Sequence, residues 1–325
     1  MNPRVTIIDV AKAAGVSKST VSAALTNNPT VNTKTRDKVL AVAAELGYRP
    51  NRLARSLVRK NSGVIGVVVR NLRNPYYVDV VGGIEDACES LGLMPIISHS
   101  RDKVEVASSA IDQLLELQVQ GIIVISSRIS MQTVRTAAKA VPVAVIGRFS
   151  DDDGEIFNIV GDDFAGGSIG TAHLADLGHE RIAYATTSVR LASTYRQSGY
   201  EQELNNRGLQ PFTVNADNPR DTITALLQNG VTGVVAHNDV TAVALINAAH
   251  EQGIELPKAL SIVGYDDTSL CDSARPTLTS INQPQKEMGR LAVEHLWSAS
   301  HGENVGLQRI ELKPSLHLRK STIAI

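Results

Sequence analysis

Two hydrophobic periodicities divide the chain. Between residues 6 and 46 apolar side chains recur every three or four positions in short bursts: Val10, Ala11 and Ala14, then Val21 and Ala24, then Val39, Leu40, Ala43 and Leu46. That spacing predicts three short helices, each burying one stripe. After Gly63 the pattern changes to short β-branched runs alternating with helical stretches. Strands are expected at 64–69, 95–98, 121–126, 143–147, 156–160, 181–187, 233–237 and 261–265, with a helix over about 75–91. Roughly ten strand candidates exceed one comfortable sheet, so two successive α/β lobes with parallel sheets are expected. Asp162-Asp163 is a candidate crossing between lobes and 282–284 a candidate return. The fold class is therefore a small all-α domain followed by a two-lobed α/β domain.

Local chemistry sharpens the first 48 residues. Thr6 can cap the first helix, with Asp9 placing negative charge in its first turn. Gly15 can end that helix in the left-handed conformation, after which Val16 plugs the core. Ser17 can cap the second helix, with Thr20, Val21 and Ala24 inward and Lys18, Ser19, Ser22 and Ala23 outward. Asn32 or Thr33 starts the third, which Gly47 stops. Residues 1–60 hold eleven Lys and Arg against three acidic residues, a net +8, whereas the remainder holds 21 against 30, a net −9. A basic module joined to an acidic body points to a polyanion partner for the first part alone. Cys88 and Cys271 lack CxxC spacing and fit a reducing compartment. No N-terminal apolar segment and no run of eighteen apolar residues is present, so a cytoplasmic protein is expected, neither exported nor inserted in a membrane.

The run Thr-Ile-Ile-Asp-Val-Ala-Lys-Ala-Ala-Gly-Val-Ser-Lys-Ser-Thr-Val-Ser (6–22), then Thr35-Arg36-Asp37-Lys38-Val39 and Leu46-Gly47-Tyr48-Arg49-Pro50-Asn51, resembles the signature of the lactose-repressor (LacI/GalR) family of bacterial transcription regulators. The resemblance implies a helix-turn-helix headpiece at 1–49, a hinge helix and linker at 50–61, and an effector-binding and dimerisation domain at 62–325. It places base reading on Lys18, Ser19 and Ala23. Lysine and serine can donate to base edges, while alanine, a departure from relatives with Arg or another polar residue, can at most pack on a thymine methyl. Phosphate contacts fall on Thr6, Ser17, Ser22, Asn32 and Thr35, which position without reading sequence. The hinge residues assigned to the minor groove are Asn51, Arg52, Ala54, Arg55 and Leu57. Leu57 is either the wedge that kinks the duplex or a side chain docked on the regulatory body. A lone helix of about eight residues does not hold in water, so the hinge is expected to order with DNA and a second hinge.

The remaining chain resembles the family's type-1 periplasmic-binding-protein-like sensor, with one lobe at about 62–161 plus 291–320 and the other at about 162–290. Its landmarks are Asn71-Leu72-Arg73-Asn74-Pro75-Tyr76-Tyr77, Ile146-Gly147-Arg148, Tyr195-Arg196, His237-Asn238-Asp239 and Gly264-Tyr265-Asp266-Asp267. Carried over, the effector ligands are Asn71, Arg73, Tyr76, Tyr77, Arg148, Arg196, Asn238 and Asp266. A guanidinium fork beside a carboxylate suits a sugar or sugar derivative. Arg70, Arg73 and Arg148 point either to an anionic effector or to structural pairing with Asp162, Asp163 or Asp267. The family pattern implies a repressor working as a homodimer on a pseudo-palindromic operator, with dimer surfaces near 77–91 and 285–297. No leucine heptad follows Leu318, so dimers rather than tetramers are expected.

Two motifs are decoys. Gly166-Gly167-Ser168-Ile169-Gly170 fits a hydrolase nucleophile elbow, but Asp163-Phe164-Ala165 intervene where a strand must run straight in. The acidic groups at 151–153, 162–163 and 266–267 lack calcium-loop spacing, and no HxxxH pair occurs. No catalytic step, cofactor or metal is expected. The rival reading, a solute-binding protein without a direct DNA role, accounts only for the second half.

Overall fold

The computed structural model describes residues 5–48, 62–126, 128–149, 156–303, 306 and 309–325. The hinge residues Asn51, Arg52, Ala54, Arg55 and Leu57, and the acidic run 151–153, lie outside them. The chain divides into two compact units, Met1–Ser62 and Gly63–Ile325.

In the first unit the helices run Ile7–Ala14, Lys18–Leu25 and Thr33–Glu45. Thr6 closes a capping box: its hydroxyl oxygen accepts from the Asp9 amide, and the Asp9 carboxylate accepts from the Thr6 amide at 2.8 Å. Gly15, at φ 64°, ends the first helix in the left-handed region that a side chain would strain. Ser17 and Asn32 cap the other two helices by accepting from the amides of Thr20 and Thr35. Val10, Ala14, Val21, Ala24, Val39 and Ala43 form the core. Leu40 and Leu46, expected inside, are exposed. The inward stripe of the third helix is Val39 and Ala43, four residues apart. Leu40 lies a further 100° or so round the helix and Leu46 is its C-cap, while Val42 and Tyr48 fill the rim instead. Ala23, expected outward, is half-buried against this core.

The second unit carries two six-stranded sheets. The first contains β1 (Val64–Val69), β2 (Met94–His99), β3 (Gly121–Ile125), β4 (Val143–Ile146), β5 (Phe157–Gly161) and β11 (Arg309–Leu312), in the order β11-β5-β4-β3-β1-β2, with every pair parallel. The second contains β6 (Ile182–Thr186), β7 (Phe212–Asn215), β8 (Gly233–Ala236), β9 (Ser261–Asp266), β10 (Thr279–Asn282) and β12 (Ser315–His317). Its order is β12-β10-β9-β8-β6-β7, and only β12 runs antiparallel. Helices cover both faces of each sheet, so the central strands read as continuous apolar runs. The strands that the apolar pattern does not reveal (β7, β10, β11, β12) have only three or four residues each. Three of them are edge strands with alternating burial, which weakens their signal.

The lobe bounds shift from those expected. The helix Gln285–Ser300 packs on the first sheet through Met288, Ala292, Val293 and Leu296, so the return falls at the candidate position 282–284 and the first lobe resumes before the expected bound at 291. The chain then crosses a third time between β11 and β12, where Pro314 stands. The last residues belong to the second lobe, with the Ile262 amide donating to Ser321 and the Ile325 amide to Leu177. Three short connections thus join the lobes.

Glycines set two close helix crossings. A Cβ on Gly167 would stand 1.9 Å from the Arg196 carbonyl oxygen, and one on Gly199 would stand 2.0 Å from that of Phe164. The Gly-Gly-Ser-Ile-Gly run therefore lies within the helix Asp163–Asp176 as a packing face against Leu191–Asn206, and Ser168 donates to Glu203 at 3.0 Å. Gly83 and Gly289 serve likewise between Pro75–Ser90 and Gln285–Ser300. Because backbone meets backbone, Gly167→Ala is expected to cost about 2 kcal/mol or more, read as a lowered urea midpoint. An unchanged midpoint would contradict this account of the crossing.

Candidate functional site

The headpiece presents its polar groups at helix N-termini. Lys18 and Ser19 open the second helix and are exposed, with the Ser19 hydroxyl 2.7 Å from that of Ser17. Thr6, Ser17 and Asn32 are all N-caps. Their side-chain acceptors are taken by the caps, which leaves first-turn amides and the helix dipoles as the groups suited to a phosphate. Ser22 and Thr35 are half-buried.

In the second unit the carboxyl ends of both sheets converge on one cleft of about 740 Å³. Most of its charged lining groups lie within a few residues of a strand's carboxyl end, as open α/β sheets dictate for ligand sites. Arg70 and Asn71 follow β1, Asp102 follows β2, Ser126 and Arg128 follow β3, and Arg148 follows β4. Asp163 follows β5, Arg190 follows β6, Asn238 follows β8, Asp266 ends β9 and Gln283 follows β10.

Asp163 is the junction. One carboxylate oxygen accepts from Arg148 Nε at 2.8 Å and the other from Arg196 Nε at 2.9 Å. The three side chains are 4%, 7% and 10% exposed, so the carboxylate bridges a first-lobe and a second-lobe arginine away from water. Arg148 also donates to the Gly161 carbonyl and, at 2.7 Å, to Glu311. Arg196 donates to the His237 carbonyl at 2.6 Å, lies 3.7 Å from Asp266, and stacks on the Tyr265 ring 3.6 Å away. Burial opposes the charge on Arg196, but Asp163, Tyr265 and Asp266 outweigh it and raise its pKa. Burial pushes Asp266 up to about 8, further aided by Asp239 and Asp163, against the pull of Arg196 and the Gln283 amide bonded at 2.7 Å. Burial and the Arg196 charge push His237 down to about 4, which leaves it neutral near pH 7.

A second cluster stands elsewhere in the cleft. Asp102 accepts from Arg70 Nε at 2.9 Å and from Arg190 at 2.9 and 3.0 Å, with Arg128 3.5 Å away. Burial raises the Asp102 pKa, but the Arg70 and Arg190 guanidiniums bring it below the ordinary value. Arg190 joins the lobes here a second time.

The model of the lacI family of bacterial regulatory proteins matches residues 6–51, and that of a periplasmic binding protein-like domain matches 171–322. The transcriptional regulator DegA of Bacillus subtilis is 33% identical, over 98% of each chain. The chain belongs to the lacI family. Among solved structures, a lac repressor dimer bound to operator and the anti-inducer ONPF superposes with a TM-score of 0.86 at 31% identity, covering 99% of this chain and 100% of that one. A CelR–cellobiose complex gives 0.72 at 26%, covering 98% and 100%. The chain is thus a DNA-binding regulator of this family, with the family's two-lobed sensor. Among the described residues no helix is long and apolar enough to cross a membrane, and no group of three or more His, Cys, Asp or Glu is placed to hold a metal.

Of the family-implied effector residues, Asn71, Tyr76, Tyr77, Arg148, Arg196, Asn238 and Asp266 line the cleft. Arg73 does not: it is exposed, in a turn where its amide donates to Asn71. Asp162, weighed as an arginine partner, instead caps the helix it precedes, and Asp267 pairs with Arg319 and His317. The motifs did not single out Asp102, Arg128, Arg190 and Gln283 as lining groups. Their shared signal, a charged or amide residue within a few positions of a strand's carboxyl end, is readable once the strands are known. Asp163→Ala strands two buried guanidiniums and is expected to lower unfolding free energy by about 3–5 kcal/mol in urea titration. A loss below about 1 kcal/mol would show the junction to be ordinary surface pairing.

Proposed function

We propose that the chain is a ligand-responsive transcriptional repressor, cytoplasmic and without a catalytic step, that binds a pseudo-palindromic operator as a homodimer. The observation that carries this reading is a buried, hydrogen-bonded cleft in the same lacI-family chain as a capped, basic three-helix headpiece. Two similar solved structures are a DNA-bound repressor with an anti-inducer and a regulator with cellobiose, which supports a polar metabolite as effector. The solute-binding alternative leaves the headpiece match over 6–51 without a purpose.

On the operator, Lys18 and Ser19 read bases, Ala23 adds at most an apolar contact, and the phosphates are held at Thr6, Ser17, Ser22, Asn32 and Thr35. Asn51, Arg52, Ala54, Arg55 and Leu57 are assigned to the minor groove at the operator centre. In the cleft, Arg196, Asn238 and Asp266 fix ligand hydroxyls, Arg148 holds Arg196's partner in place, and Asn71, Tyr76 and Tyr77 shape the first-lobe wall. The ligand acts because it binds the two lobe arrangements unequally.

Selection from a random duplex pool is expected to return a two-fold symmetric site. Affinity for that site should fall steeply with salt, and Lys18→Ala should cost about 1–3 kcal/mol and relax one position per half-site. No enrichment, or binding indifferent to salt, would contradict the DNA reading.

A ligand hydroxyl donates best to an ionised Asp266. Below a pKa of about 8 the ligand must expel a proton to find that form. For a ligand with no titration of its own, affinity is expected to rise from pH 6 to 8, by at most about tenfold per unit, and level off above. Asp266→Asn should flatten the profile in calorimetry. A flat wild-type profile would remove Asp266 as the hydroxyl acceptor.

A further inference from the structure

The two ends of the cleft differ in charge. Around Asp163, Arg148 and Arg196 meet three carboxylates: Asp163, Asp266 and Glu311. Around Asp102, three guanidiniums (Arg70, Arg128 and Arg190) meet that one carboxylate. Both oxygens of Asp102 are already engaged by Arg70 and Arg190, so it has little left to offer Arg128. Among the described residues two positive charges therefore stand uncompensated, where a cleft with low-dielectric walls magnifies them.

Arg190 records the imbalance. Although it holds a bidentate carboxylate, its pKa is lowered, first by burial and then by the neighbouring Arg70 charge, with Arg128 adding to it. Arg190 is also the N-cap of the sixteen-residue helix Leu191–Asn206, and its side chain makes no cap hydrogen bond. Leu191, Ala192 and Ser193, the first turn of that helix, line the same cleft. Their amides and the helix dipole add positive potential beside the guanidiniums.

We infer that the effector carries a phosphate monoester, docked against Arg70, Arg128 and Arg190 while its hydroxyls face Arg196, Asn238 and Asp266. A phosphate monoester brings roughly −1.5 to −2 charges near pH 7, which matches the surplus, and its oxygens suit guanidinium forks and helix amides together. A single carboxylate would leave one positive charge unmatched. At about 740 Å³ the cleft has room for a phosphorylated sugar. Because Arg190 comes from one lobe and Arg70 and Arg128 from the other, the phosphate also draws the lobes together.

The inference rests on the cleft being the effector site, and its test separates the two. Calorimetry on the full chain would compare D-ribose, D-glucose, their 5- and 6-phosphates, and inorganic phosphate at matched ionic strength. The phosphorylated sugar of at least one pair is expected to bind tighter than its parent by on the order of tenfold to a hundredfold. Arg128→Ala, at an exposed side chain whose pair among the described residues is Asp102 at 3.5 Å, should remove most of that difference. Inorganic phosphate should raise the wild-type melting temperature above chloride controls, with the rise reduced in Arg128→Ala and Arg190→Ala. Three results would overturn the inference: a neutral sugar binding as well as its phosphate, phosphate acting no differently from chloride, or a phosphate preference unchanged in Arg128→Ala. If a neutral sugar binds as well as its phosphate and shifts operator affinity, the regulatory reading stands and the phosphate inference alone falls.

Discussion

The cleft depends on one buried carboxylate. Asp163 opens the first helix of the second lobe, immediately after the chain leaves β5, and takes a guanidinium from each lobe. An isolated charge at 4% exposure would be costly, and so would either arginine alone. Together they are mutually satisfied, and each guanidinium is turned by its remaining bonds: Arg148 toward Gly161 and Glu311, Arg196 toward the His237 carbonyl and the Tyr265 ring. The position of Arg196 in turn requires the helix crossing at Gly167 and Gly199. What looked like a nucleophile elbow is thus the packing surface that sets the depth of a binding arginine.

The same junction explains why the cleft is polarised. Arg148 and Arg196 are internally balanced by acids, so they serve geometry and hydroxyl recognition more than net attraction. The unbalanced charge lies with the arginines round Asp102. A second inter-lobe pair, Arg190 with Asp102, lies there among surplus cations, where an incoming anion can compete for the same donors. One bridge is closed by protein groups and the other is open to exchange, an arrangement by which a ligand can bias the lobes.

Much of this was legible in the sequence, for identifiable reasons. Capping residues announce themselves by type and spacing, so Thr6, Gly15 and Ser17 took their expected places. The fully buried parallel strands are apolar runs, and they put Arg148, Asn238 and Asp266 at strand ends, with Arg196 inside the helix that follows β6. Less legible were features set by tertiary context. Leu40 is apolar yet exposed, because the third helix is narrow on its inward side. Arg73 sits beside a lining residue but turns away. The arginine cluster at Asp102 is assembled from four separate connections, and no local spacing encodes it. The third crossing at Pro314 was hidden because β11 and β12 are too short to show a period.

The most direct measurement is operator binding by fluorescence anisotropy, on the selected duplex, with and without the ligand found by calorimetry. It should be made on the wild-type chain and on Arg196→Met. The account predicts that ligand changes wild-type affinity by on the order of 5- to 150-fold. It predicts that ligand leaves the operator affinity of Arg196→Met unchanged. A ligand effect of equal size in both proteins would show that the cleft around Asp163 is not the sensor.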